Sequence, residues 1–446
     1  MRKTLLFGTF ALVAAFLLSS RAAYTFAASE GDEPMSPRLS ALKKQIAEGK
    51  RETLESFWQD VKKQGAPIIE PIAGDTQNYF VTFLFQAKDE IRNVLVMGGV
   101  AGFEIPENMM SRLLDTDLWY KTYKVRSDAR FSYNLSVNDS MIPFGKVDFT
   151  DPKVAMQRIS TFKTDPLNSN TYLGSPPSSV VELPNAIPQP WIKRSSKVPA
   201  GELVSKKIKS AILNNERTAW VYTPPGYKKD GPPYPLMVLF DGVAYTLLVP
   251  TPVILDNMLE RGLIQPVVAI VLENPTQTSR NKELPCNPSF ADFLAKEVVP
   301  WMRANYHVTS DAAQTYVGGS SYGGLAATYA GFHNPETFGN VISQSGSFWW
   351  KPDGDSEHEW LTRQFAESDK LPVRFYLDVG LLESGPTPDN GPSQVVVNRH
   401  MRDILKAKGY FVHYREFNGG HEYLNWRGTF SDALTVLMGS QLNKQK

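Results

Sequence analysis

Cysteine is almost absent. Cys286 is the single one in 446 residues, so no internal disulfide can form and the fold must be held by core burial, which a chain of this length can supply. One thiol and six histidines also make a structural zinc cluster a poor expectation. Excess charge of either sign is lacking: 47 lysines and arginines stand against 46 aspartates and glutamates, a formal net charge of +1. Nothing in that balance points to nucleic acid or another polyanion. Beyond the first twenty residues no apolar run approaches a membrane span, and there are no repeats or low-complexity tracts. What remains, 42% hydrophobic and 21% charged, is a globular composition sized for two or three domains.

The N-terminus is the first informative segment. Arg2 and Lys3 precede the apolar run Leu5 to Leu18, and small residues follow around Ser20-Arg21-Ala22 and Ala27-Ala28. Positive end, short apolar core and small-residue exit predict a secretory signal peptide over 1–28, cleaved between Ala22 and Ser29. The run is too short to cross roughly 30 Å of hydrocarbon, so stable membrane insertion is not expected, an uncleaved anchor being the alternative. Export without disulfides fits a bacterial periplasm.

Residues 29–66 read as a helical linker or packing helix, with Leu39, Leu42, Ile46, Leu54, Phe57 and Trp58 near helical spacing among Lys and Glu. Over 67–175 the pattern turns to short β-branched and aromatic runs, among them Tyr79 to Phe85, Ile91 to Met97, Leu118 to Tyr123 and Phe131 to Leu135. Their spacing predicts an all-β sandwich. Residues 176–204 are proline-rich and read as a linker. From 205 to 446 strand candidates alternate with amphipathic helices, which predicts a mostly parallel sheet covered on both faces.

Chemistry enters at Gly319-Ser320-Ser321-Tyr322-Gly323, a Gly-x-Ser-x-Gly between a predicted strand and a predicted helix. In the α/β-hydrolase fold that turn lifts the serine above the sheet, with glycines where a Cβ would clash. Ser321 is therefore the candidate nucleophile, and a serine hydroxyl needs a base. His421 follows the last predicted strand in Asn418-Gly419-Gly420-His421, whereas His333, His400 and His413 fall in helices or a strand, and His307 and His358 in other loops. The orienting acid should lie between the two in the chain. Glu383 follows a strong strand; Asp389 is its rival, and a Ser-His dyad without an acid is the third option. The oxyanion hole calls for two N–H groups: Tyr322, after the nucleophile, and either Gly242 or Val243 in the turn after Leu236 to Phe240.

Three stretches of the C-terminal half carry a family likeness: Phe338-Gly339-Asn340-Val341-Ile342-Ser343-Gln344-Ser345-Gly346-Ser347-Phe348-Trp349-Trp350, Arg280-Asn281-Lys282-Glu283-Leu284, and Gly419-Gly420-His421-Glu422-Tyr423 with Trp426-Arg427. With Asp115-Thr116-Asp117-Leu118-Trp119 and Asp165-Pro166-Leu167-Asn168, the chain resembles the enterochelin (enterobactin) esterases, from about Asn78 to the end. The resemblance implies an immunoglobulin-like N-terminal sandwich before an α/β-hydrolase domain. It also implies a small-molecule ester substrate, the trilactone of a ferric catecholate siderophore, cleaved without metal or organic cofactor. Glu422 departs from the usual Asp after the histidine, and the better-known two-domain members are cytoplasmic. Trp349, Trp350 and Trp426 could line a cleft or belong to the core. Arg280 suits catecholate oxygens, or pairs with Glu283 one helical turn away. A feruloyl or acetyl esterase and an acyltransferase of the same branch are the rival readings, and a binding protein on an inactive scaffold is disfavoured by the intact Ser321, Glu383 and His421.

Overall fold

The structure, a computed structural model, describes residues 34–148, 151–174 and 176–442; the signal-peptide segment lies outside them. Two helices come first, α1 (Pro37–Ala47) and α2 (Glu52–Gln64). Nine strands follow: β1 (Ile68–Ile72), β2 (Asp75–Gln86), β3 (Val94–Gly98), β4 (Ser111–Arg112), β5 (Leu118–Arg126), β6 (Arg130–Val137), β7 (Phe162–Lys163), β8 (Thr171–Tyr172) and β9 (Ser178–Glu182). They make two antiparallel sheets, one ordered β1-β2-β5-β4 and the other β3-β6-β9-β8, with β7 on β6.

Side chains alternate across a strand, and β2 uses both faces. Val81 and Phe83 enter a core shared with Val94, Val96, Phe131, Tyr133 and Val181 of the other sheet. Leu84 points the opposite way, to Leu39, Leu42, Phe57, Trp58 and Val61. The segment expected to be one packing or linker helix is two helices that pack as a third layer, because β2 is apolar on both sides and its outer face needs a cover. A second correction concerns 176–204. Ser178–Glu182 is a strand paired to β6 and β8, since Val180 and Val181 carry enough apolar surface to complete the sheet between flanking prolines.

The C-terminal half is built on eight strands: β10 (Glu202–Ser210), β11 (Asn215–Thr223), β12 (Leu236–Leu239), β13 (Val268–Leu272), β14 (Thr315–Ser320), β15 (Asn340–Gln344), β16 (Arg374–Gly380) and β17 (Phe411–Phe417). Their order is β10-β11-β13-β12-β14-β15-β16-β17. The first two join antiparallel and the remaining six run parallel, with separate apolar cores on the two faces. Helices that matter for the site are α3 (Gln277–Glu283), α4 (Tyr322–His333), α5 (Gln394–Ala407) and α6 (Tyr423–Leu442). Among the described residues no helix is long and apolar enough to cross a membrane.

Candidate active site

Parallel strands deliver their C-terminal ends to one edge, where α/β proteins bind ligands. Ser321 follows β14, Ser345 follows β15, Glu383 lies beyond β16 and His421 beyond β17, on four neighbouring strands. Ser321 caps α4 with φ 60° and ψ −124°, a left-handed conformation that costs a non-glycine residue about 1–3 kcal/mol. The bend is fixed from both sides: Ser321 N–H donates to Gln344 O at 2.9 Å, and Ser347 N–H to Ser321 O at 3.1 Å.

The glycines of the turn do not share the work as the motif predicts. A Cβ at Gly319 would sit 2.8 Å from the Gly323 backbone, so that glycine is required by strand-helix approach. A Cβ at Gly323 would meet nothing nearer than 3.4 Å, an ordinary contact; the tight neighbour is Gly324, at 2.7 Å from Ser343 Oγ.

His421 Nδ1 lies 2.6 Å from Glu383 Oε2, with Glu383 buried and the imidazole partly so. The other carboxylate oxygen of Glu383 accepts from Ser345 Oγ at 2.7 Å and from Gly380 N–H at 2.8 Å. With three donors converging on it, the carboxylate has one orientation available, and the imidazole is aligned by it. Trp426 completes the frame: its ring meets His421 edge-on at 4.7 Å, and its Nε1–H donates to Ser345 Oγ at 3.1 Å. Under them Asp378 is fully buried in β16, and burial, then the charge of Glu383, pushes its carboxyl up to about 7. Asp389 sits in the turn Pro388–Asn390, its side chain outside the described part of the structure.

Tyr322 opens α4, where the first N–H groups of a helix point out along its axis. After β12, the two candidate amides differ. Val243 N–H donates to Glu273 Oε2 at 2.7 Å, and burial pushes that carboxyl up to about 7. Gly242 presses against an indole, since a Cβ there would lie 2.3 Å from the Trp220 ring.

Arg280 does not pair with Glu283 as one of its expected roles required. On α3 it faces Asp241, with Nε–Oδ1 at 2.5 Å and Nη2–Oδ2 at 2.8 Å, its side chain only 6% exposed. Glu283 pairs instead with Arg217 at 3.0 Å. A bidentate pair of this kind spends the fork of the guanidinium on one carboxylate. Trp426 is buried and committed to Ser345, so it supports His421 rather than lining a cleft. Trp349 is buried with its ring 5.7 Å from Tyr322, and Trp350 stands edge-on to Trp360 at 6.0 Å. Sequence reasoning missed Ser345, Ser347 and Gln344, although their place at the end of the strand beside the nucleophile's was a usable signal.

Two family models match the chain, the enterochelin esterase N-terminal model over residues 80–192 and the Esterase model over 210–437. The iron(III) enterobactin esterase of Dickeya dadantii is 30% identical over 416 residues, spanning 86% of this chain and 93% of the relative. Among solved structures, the enterobactin esterase of Shigella flexneri in the presence of enterobactin gives a TM-score of 0.69 at 28% identity, over 86% of this chain and 97% of that one. The ferric enterobactin esterase of Salmonella typhimurium gives 0.72 at 26% identity, over 87% and 100%.

Proposed function

This chain belongs to the enterochelin esterase family and is a carboxylic ester hydrolase, and from that premise we propose that it cleaves the serine-ester bonds of a ferric catecholate siderophore through an acyl-enzyme on Ser321. The observation that carries the mechanism is the 2.6 Å pair of His421 Nδ1 with Glu383, at the ends of β17 and β16 on the same edge of the sheet as Ser321, with β15 between. Ser321 Oγ attacks the ester carbonyl while its proton passes to His421 Nε2, and Glu383 stabilises the imidazolium that results. The oxyanion is met by Tyr322 N–H and by Gly242 N–H, since Val243 N–H is held by Glu273. Collapse breaks the C–O bond, and His421 returns the proton to the departing serine hydroxyl. Water then gives its proton to His421 and attacks the acyl carbon, releasing the acid and restoring Ser321 O–H.

The substrate class is supported by the names of the relatives, and the iron travels as part of the substrate. No cofactor is needed for the steps above. We read the N-terminal pair of sheets, with their common core, as an immunoglobulin-like sandwich, and the charged-apolar-small N-terminus as export to a periplasm. Incubating the mature protein with ferric enterobactin and with methyl ferulate, followed by mass analysis, tests the reading. Linear serine-catecholate products are expected; an untouched siderophore beside rapid ferulate hydrolysis would transfer the function to feruloyl esterase chemistry.

A further inference from the structure

We propose that Ser132, on β6 of the N-terminal unit, is a positioning residue for catalysis, holding the loop of His421 through a two-point clamp on Glu422. The inference rests on the reading of Ser321, His421 and Glu383 as the reacting set. Ser132 donates twice to the neighbour of the candidate base: its N–H to Glu422 Oε1 at 3.1 Å and its hydroxyl to Glu422 Oε2 at 2.5 Å. The residues are 290 apart in the chain, so the contact exists only when the two halves are docked.

The clamp is one of a set that straddles His421. Before it, Arg130 N–H donates to Asn418 O at 3.0 Å and Asn418 Nδ2 to Asp128 Oδ1 at 2.9 Å. After it, Gln189 Nε2 donates to Leu424 O at 2.8 Å. The approach is close enough that a Cβ on Gly419 would fall 2.8 Å from Arg130 O. The acid's loop is gripped too: Leu382, next to Glu383, is buried in the core between the two N-terminal sheets, and its N–H donates to Gly419 O at 3.1 Å. Base and acid are therefore both tied to the N-terminal unit, while Ser321 is fixed by the C-terminal sheet alone. A glycine pair, Gly419-Gly420, has little stiffness of its own, and Ser132 supplies the fixed point from outside. Misplacing a reacting group by about 1 Å can cost roughly 100-fold.

Ser132→Ala in the full chain should lower kcat on p-nitrophenyl butyrate by about ten- to a hundredfold, with KM within twofold, because Ser132 touches no substrate. Fluorophosphonate labelling of Ser321 should slow in step, and Ser132→Thr, which keeps the hydroxyl, should recover most of the rate. Glu422→Gln exchanges the charged acceptor for a neutral one and should lose a smaller factor; it carries the same test if Ser132→Ala melts early. Parent-like kcat in Ser132→Ala at unchanged Tm would overturn the proposal, as would equal losses in kcat and Tm that Ser132→Thr fails to recover. Ser321→Ala serves as the control: its inactivity keeps the catalytic reading whatever Ser132 does, and its activity would overturn both.

Discussion

At the scale of single residues, Glu383 holds the most constrained position in the site. It serves His421 with one oxygen and Ser345 and Gly380 with the other. Replacing it by glutamine keeps the volume but offers only one acceptor atom to three donors. Either Gly380 and Ser345 lose theirs, or His421 faces an NH2 group and is pushed to the wrong tautomer. Glu383→Gln should therefore lose about 10³–10⁴ in kcat, and combining it with His421→Ala should add little, because members of such a set act as a unit. Steady-state kinetics on a soluble ester checks this; a loss under tenfold would mean that Ser321 and His421 work as a dyad. Ser321 and His421 were legible because a sharp strand-to-helix turn and a Gly-Gly loop after the last strand leave local signatures. Arg280 was not. Its partner Asp241 is 39 residues away on another strand end, and no local spacing encodes that meeting, whereas the wrong partner Glu283 stood one turn away.

Elements were legible where their apolar period was clean and illegible where packing decided the matter. The alternation of strands and helices expected in the C-terminal half is present, and β12, β13, β14 and β15 were plain because fully buried parallel strands read as short continuous apolar runs. The strand Ser178–Glu182 was hidden by flanking prolines, and the sequence of α1 and α2 left packing and linker roles both open because their periodicity does not announce the sheet they cover. The turn at Ser321 shows how element packing corrects a motif. Strand β14 requires Gly319, but the contact of α4 with β15 falls on Gly324, not on Gly323. Gly324→Ala drives a methyl to 2.7 Å from Ser343 Oγ and 3.0 Å from Gly346 Cα, overpacking of a kind that costs about 1–3 kcal/mol. Gly323→Ala meets only ordinary contacts and gains helix propensity. Urea or thermal melts should rank Gly324→Ala well below Gly323→Ala and the parent; the reverse order would show that the motif glycine carries the packing after all.

For the whole molecule, the site lies where two units meet, so stability and activity share their supports. Most of that was invisible in the sequence: both units could be recognised separately, but the contacts of β6 with the loop of His421 join segments nearly three hundred residues apart. One consequence is measurable without substrate. Asp378 is fully buried in β16, the strand next to the edge strand β17, and burial together with the charge of Glu383 raises its carboxyl from 3.8 to about 7. Between those two values the native state holds a proton that the unfolded chain has released. Unfolding then loses protons, so stability falls as pH rises from about 4 to about 7. The contribution is fully present below the unfolded pKa and is lost as pH climbs through the folded one. Glu273, raised from 4.5 to about 7 chiefly by burial, adds in the same direction. Asp378→Asn removes the ionisation while leaving an amide oxygen to accept from Ser345 N–H, which lies 3.2 Å from Asp378 Oδ1. The Tm of the parent should drop between pH 5 and pH 8, and the variant should show a visibly shallower drop, with part of the slope left to Glu273. Parallel curves for the two proteins would mean that Asp378 stays ionised in the folded state across that range, and that its charge is met by Thr429 and Ser345 instead of a proton.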